Sequence, residues 1–183
     1  MVTRKFIVAI DRSTKVGVEV FAVIALSIDS QEKLIRYSDF FKHLRRLGRF
    51  SKIIYLPKML RIIKQLVERR IIIGLKVFTR LNEAVELVHS RRANILACIV
   101  DNNTYNYYTT RGIKSSNYFK YIPLVILENE LKKPSEELID KVHRAGLTMV
   151  FLRTTLNISD NIASYTRNLF EKQLREIPQI WNL

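Results

Sequence analysis

The sequence is poor in the residues that mark several classes of protein. Of its 183 residues, 5 are glycine, 4 are proline and 1 is cysteine. So little glycine and proline excludes collagen-like and low-complexity chains. The single cysteine, Cys98, excludes an intrachain disulfide and any zinc or iron–sulfur site built from several cysteines, and it favours a reducing compartment. Because Gly-x-Ser-x-Gly and Gly-x-x-x-x-Gly-Lys motifs are also missing, no motif indicates a serine hydrolase or a P-loop nucleotide site.

Long hydrophobic runs are missing as well. The longest apolar stretch, at 16–28, covers about 13 residues and is interrupted by Glu19, whereas a membrane-spanning helix needs roughly 20. Near the start of the sequence, Asp11 and Arg12 end an apolar run of about five residues, and the hydrophobic region of a signal peptide needs roughly 7–15. We therefore expect a cytoplasmic protein without a membrane partner.

Acidic residues are far outnumbered by basic ones. There are 31 Lys and Arg against 17 Asp and Glu, so the net charge is +14. The 48% of hydrophobic residues is enough for a folded core, and the length suits a single domain over 1–183. Such a charge attracts polyanions: nucleic acid first, an anionic surface or acidic partner second. The alternative is a solvated basic surface. We predict DNA or RNA as the partner; the oligomeric state stays open.

The hydrophobic pattern predicts an α/β fold. Apolar runs predict strands at 2–11, 16–28, 51–56, 71–78, 95–101, 121–128 and 147–153. Helical patterns follow Ser30 as far as Gly48, open at Pro57, and cover 82–92, 135–145 and 159–176; a turn at 12–15 and a polar, Tyr-rich stretch at 102–120 complete the chain. An antiparallel hairpin followed by alternating strands and helices predicts a mixed sheet, parallel after its antiparallel start, with helices on both faces.

Carboxylates recur where the predicted strands end. Asp11, Asp101 and Glu128 each end a strand, and a fourth strand leads through a short loop to Asp160 at the start of the last helix. In open α/β sheets, ligands bind at the carboxyl ends of parallel strands. Like charges gathered there are costly unless a cation intervenes, and Mg²⁺ and Mn²⁺ prefer oxygen ligands. Since two such ions about 4 Å apart can cleave a phosphodiester, these four acids predict a metal-dependent nuclease.

Each acid also has a purely structural interpretation. Asp11 could cap the hairpin turn, and Asp101 could begin a turn with the two asparagines that follow it. Glu128 could be the solvated end of a strand, and Asp160 could cap the last helix. The repeated placement at strand ends is what favours a shared site.

Basic and aromatic residues supply the predicted nucleic-acid contacts. The run at 42–52 is the densest in positive charge and could track phosphates, while the tyrosines within 102–120 could stack on unpaired bases. The alternatives are a solvated helix face and tyrosines that pack onto the core. The predicted nucleic-acid-binding residues are Lys42, Arg45, Arg46, Arg49, Lys52, Tyr107, Tyr108, Arg111 and Lys114.

The opening of the chain resembles a known family. A strand followed by Asp11-Arg12-Ser13 and a second strand is similar to the Asp-x-Ser first strand of the ribonuclease H-like superfamily. In that superfamily a hairpin meander precedes parallel strands that alternate with helices. A second acid ends the fourth core strand, as Asp101 does, and a last acid stands near the start of the final helix, as Asp160 does.

The resemblance implies a ribonuclease H-like fold and a two-metal-ion nuclease. Asp11, Asp101 and Asp160 would then be catalytic ligands of Mg²⁺ or Mn²⁺. Glu128 is a strand-end substitute for the carboxylate that the family carries on a helix. Two other functions stay open: a noncatalytic nucleic-acid-binding or assembly protein that uses the basic helix faces, and a Rossmann-like domain that contacts an acidic protein.

Overall fold

The computed structural model describes residues 5–15, 18–41, 47–110, 116–168 and 178–181. Its strands are β1 (Phe6–Lys15), β2 (Val18–Ser27), β3 (Ile72–Phe78), β4 (Ile95–Val100), β5 (Leu124–Leu127) and β6 (Ile180–Trp181). Its α-helices are α1 (Gln31–Ile35), α2 (Arg49–Glu68), α3 (Leu81–Ser90), α4 (Asn102–Thr110), α5 (Ser116–Phe119), α6 (Glu128–Lys132), α7 (Glu136–Arg144) and α8 (Met149–Asn168).

The strands form one mixed sheet in the order β5-β4-β1-β2-β3-β6. The pairs β1–β2, β2–β3 and β3–β6 are antiparallel. On the other side of β1, β4 runs parallel to it and β5 runs parallel to β4. The predicted α/β class with a mixed sheet is confirmed. None of the described helices has the length and apolarity needed to cross a membrane.

The central strands are buried on both faces of the sheet. Along β1, Ile7 and Ala9 belong to one core and Val8 and Ile10 to the other, as the alternation of side chains in a strand requires. Helices α2 and α8 cover the first face, and α3 and α5 cover the second. Cys98 lies in the second core, where burial raises the pKa of its thiol to about 12, so it stays protonated and unreactive.

Two short predicted strands are wrong. Residues 51–56 belong to α2, which runs through Pro57, and residues 149–153 begin α8, with 147 and 148 just before it. A short apolar run without alternation fits a buried helix as well as a strand, and packing decides between them. The carbonyl that proline leaves without a donor is that of Ile53, a residue 64% exposed, so water can solvate it.

The predicted turn at 12–15 is also wrong, because β1 continues through Lys15. Gly48 does not end a long helix after Ser30: α1 stops at Ile35, and Gly48 precedes α2. The polar stretch at 102–120 contains α4 and α5. The remaining predicted strands, and the helices at 82–92 and 135–145, are found with their ends shifted by a few residues. The helices predicted to begin at 57 and 159 begin eight and ten residues earlier, and residues 169–176 of the last one lie outside the described residues.

The edge strand β6 docks on β3 through a close approach of two residues. Trp181 pairs with Gly74, and a Cβ atom added at Gly74 would lie 2.6 Å from Cε3 of the Trp181 ring and 3.1 Å from Cβ of Ala25. Real Cβ atoms do not approach other atoms so closely, so only glycine leaves room for the indole. Trp181 therefore packs against the body of the protein, a point that the sequence left undecided.

We expect Gly74→Ala to displace β6, because the indole and the new methyl group would occupy the same space. Overpacking of this kind costs about 1–3 kcal/mol. Trp181 is the only tryptophan, so its fluorescence reports the change directly: emission should shift to the red and quenching by iodide should increase. Gly48→Ala is the control, because nothing lies within 4 Å of a Cβ atom there. Equal spectra for both variants would contradict this packing.

Candidate functional site

Three of the predicted acids come directly after residues that pair with one another across the parallel strands. Ile10 of β1 pairs with Val100 of β4, and Val100 pairs with Leu127 of β5. The next residues on the three strands are Asp11, Asp101 and Glu128. Because neighbouring strands lie about 4.8 Å apart, these acids stand side by side at the carboxyl ends of β4 and β5.

Helix α8 brings the fourth acid to the same place. The hydroxyl of Ser159 donates to the carbonyl oxygen of Ala22 at 3.0 Å, and Ala22 is the residue that pairs with Asp11 in the β1–β2 ladder. Asp160 follows Ser159 directly. A position in the middle of α8, rather than the predicted start of a last helix, therefore sets it opposite Asp11.

Asp11 is the most buried of the four carboxylates. It is 4% exposed, and its Oδ2 atom has no hydrogen-bond partner among the described residues. Burial raises the pKa of this carboxyl well above its ordinary value, and the negative charges of Asp160, Glu128 and Asp101 raise it further, against a backbone hydrogen bond from Arg12. The side chain of Arg12 forms an ion pair with Glu19.

Asp101 caps a helix, where the sequence allowed a turn with the two asparagines that follow it. Its Oδ1 accepts the backbone N–H groups of Asn103 and Thr104, both at 3.0 Å, and its Oδ2 accepts the hydroxyl of Thr104. These bonds cap the N-terminus of α4. The cap also anchors α4, the helix that carries the tyrosine-rich segment, at the acidic end of the sheet.

The remaining two carboxylates have local partners. Glu128 forms an ion pair with Lys132 at 2.6 Å, four residues later in α6, and its side chain is 24% exposed. Asp160 accepts a hydrogen bond from the hydroxyl of Ser164 at 3.4 Å, and the Ser164 hydroxyl lies 3.4 Å from that of Ser13. Each of these acids thus contacts a residue of its own helix, Glu128 in α6 and Asp160 in α8.

As the side chains stand, the described carboxylates do not form a metal site. Among the described residues, no three His, Cys, Asp or Glu side chains stand close enough together to hold a metal ion as they are. The donors are nevertheless hard carboxylate oxygens, and the buried Oδ2 of Asp11 lacks a partner. Repulsion among like charges keeps such groups apart without a counterion. Asp11, Asp101, Glu128 and Asp160 are the residues that could hold Mg²⁺ or Mn²⁺.

Most of the predicted nucleic-acid contacts fall outside what the structure describes. Lys42, Arg45, Arg46, Arg111 and Lys114 lie outside the described residues. The backbone of Arg49 begins α2, and that of Tyr107 and Tyr108 belongs to α4, but their side chains are not described. The side chain of Lys52 is described and is half-buried on α2.

Sequence reasoning used Ser13 only as part of a motif and assigned no role to the other small polar residues around the acids. Ser13, Ser159 and Ser164 are all buried and fix the position of α8 against β1 and β2. Two spacings could have indicated that serines lie beside the acids. Ser13 is two residues from Asp11 on one strand face, and Ser164 is four residues from Asp160 on one helix face.

Comparison of the chain with protein-family models, with curated proteins and with solved structures finds no match to any of the three.

Proposed function

We propose that the protein is a metal-dependent nuclease with a ribonuclease H-like fold, which cleaves phosphodiester bonds of DNA or RNA. The observation that carries this proposal is the surroundings of Asp11. A carboxylate 4% exposed, with one oxygen that lacks a hydrogen-bond partner among the described residues, lies within electrostatic reach of three further acids. A fold that needed these side chains only for structure would gain stability from neutral ones, because buried like charges are costly.

The strand arrangement supports the ribonuclease H-like fold. The resemblance implies an antiparallel meander followed by parallel strands, and β1, β2 and β3 form such a meander before β4 and β5 run parallel to β1. The third meander strand is β3, which comes after α1 and α2. The insertion of these two helices separates β3 from the hairpin in the sequence.

Bound Mg²⁺ or Mn²⁺ would supply an activated water and stabilise the attacking and leaving oxygens of the phosphodiester. In this mechanism Asp11 would be the most buried of the residues that hold the ion. Asp101 and Asp160 flank it from the end of β4 and from α8, and Glu128 closes the more exposed side. The Ser13–Ser164 pair positions Asp160. The net charge of +14 favours association of the whole molecule with a nucleic-acid backbone.

The test is cleavage of labelled single-stranded DNA, single-stranded RNA and an RNA–DNA hybrid by the purified protein. We expect cleavage with Mg²⁺ or Mn²⁺ and none when EDTA replaces the metal. If the protein cleaves none of these substrates with either ion, the enzyme proposal fails. Binding that weakens as salt rises would then identify the noncatalytic nucleic-acid-binding alternative, whereas affinity independent of salt would contradict both.

A further inference from the structure

A cavity lies at the opposite end of the sheet from the carboxylates. Its position follows from the backbone bond between the N–H of Ser27 and the carbonyl oxygen of Ile71 (3.2 Å), since Ser27 pairs with Phe6 at the beginning of β1. Asp11 lies about 17 Å further along that strand, at roughly 3.3 Å per residue. The cavity has a volume of about 540 Å³ and is lined by Lys33, Arg36, Tyr37, Arg69 and Ile71.

Two helices supply its polar residues. Lys33, Arg36 and Tyr37 are spaced three and four residues apart on α1 and the turn that follows it, so they share one face. Arg69 comes from the C-terminal end of α2. There Arg70 adopts a left-handed conformation (φ 53°) and turns the chain into β3. The fold thus brings three cations and one aromatic ring together from segments more than thirty residues apart.

The cavity is positively charged without a counterion from its walls. The described residues that line it include no carboxylate. Within the described part of the chain, Lys33, Arg36 and Arg69 form no ion pair with an acidic side chain. A helix C-terminus favours one nearby cation, which accounts for Arg69 alone. The two cations from α1 are exposed, so an anionic ligand can reach them from solvent.

We propose that this cavity binds the phosphate of a nucleotide. Arginine guanidinium groups bind phosphate through two parallel N–H bonds, and lysine adds a point charge. Tyr37 offers a surface on which a base can pack. The volume lies within the range of small-ligand sites. The nucleotide is either free or part of a nucleic-acid strand, and the proposal does not depend on the metal site, since neither Asp11 nor its neighbours take part.

Binding is measured in EDTA, so that cleavage at the carboxylates cannot interfere. The probes are a labelled 12-nucleotide oligothymidylate, ATP and inorganic pyrophosphate. The test variant is Arg36→Gln/Arg69→Gln, and the control is Arg91→Gln/Lys133→Gln, which removes the same charge from exposed positions outside the cavity.

The probes distinguish the two sources of the phosphate. If a strand is the ligand, the slope of log affinity against log salt for the oligonucleotide falls by about 1.4 in the test variant, about 0.7 for each lost phosphate contact, and stays unchanged in the control. If a free nucleotide is the ligand, ATP and pyrophosphate bind the wild type saturably, and the test variant loses this binding. Equal behaviour of the two variants toward all three probes would overturn the proposal.

Tyr37→Leu separates the aromatic contact from the charge. Leucine keeps an apolar body against the core while removing the ring. We expect weaker binding of the oligonucleotide or ATP and unchanged binding of pyrophosphate, which has no base. Weakening of all three probes alike would contradict a base-packing role for Tyr37.

Discussion

Asp11→Asn is expected to abolish metal-dependent cleavage while leaving the protein folded. Asparagine has the shape of aspartate, but it removes the negative charge from the most buried of the four acidic positions. Loss of an outer-shell partner alone costs a metal site roughly 10–100-fold, so loss of a buried ligand should cost more than 100-fold in the rate. The measurement is the single-turnover rate of cleavage in Mg²⁺ and in Mn²⁺.

Asp140→Asn is the matched control, because it makes the same chemical change at an exposed position on α7. Both variants are purified in parallel with the wild type. We expect wild-type rates from Asp140→Asn. If Asp11→Asn keeps the wild-type rate, either the site is misplaced or a contaminant cleaves the substrate, and Asp101→Asn then provides the second test of the same cluster.

Asp11→Asn should also stabilise the metal-free protein at neutral pH. Burial raises the pKa of this carboxyl in the folded state well above its ordinary value, and the neighbouring acids add to the shift. The folded state therefore binds the proton more tightly than the unfolded state does. Stability falls as pH rises from the unfolded pKa of about 4 to the raised folded value, by at most about 1.4 kcal/mol per pH unit. The variant lacks this loss because asparagine does not titrate.

The measurement is the free energy of unfolding by urea in EDTA between pH 4 and pH 8. At pH 4 the carboxyl is largely protonated in the folded state and about half protonated in the unfolded state, so the variant should gain little. The gain should grow with pH and level off above the raised pKa, while Asp140→Asn tracks the wild type throughout. A difference between Asp11→Asn and wild type that is the same at every pH would contradict a raised pKa at Asp11.

Divalent metal should reverse this order of stability. An ion that binds only the folded protein stabilises it in proportion to the logarithm of its concentration above the dissociation constant. Mg²⁺ or Mn²⁺ should therefore raise the melting temperature of the wild type and leave that of Asp11→Asn nearly unchanged. The four carboxylates then destabilise the folded protein without metal and stabilise it when metal binds, which is expected of a site selected for function. Equal shifts in both proteins would show that the ion binds elsewhere.

The sequence by itself determined the α/β class, the mixed sheet and most of its strands. These follow from local patterns: β1, β2 and β4 are continuous apolar runs because both of their faces are buried. The placement of Asp11, Asp101 and Glu128 after such runs could be read in the same way. Because β4 and β5 are parallel, Asp101 and Glu128 reach the same edge of the sheet, whereas Asp11 joins them from within β1, which continues to Lys15.

Tertiary structure alone decided the form of the segments at 51–56 and 147–153. Both are short apolar runs without alternation, and such runs are helical or extended according to what they pack against. The position of Asp160 depended on the same choice. Ser159, bonded to the Ala22 carbonyl, sets this acid opposite Asp11. The cationic cavity could not be predicted from the sequence either. Arg36 and Arg69 meet only after α1 and α2 have packed at the end of the sheet.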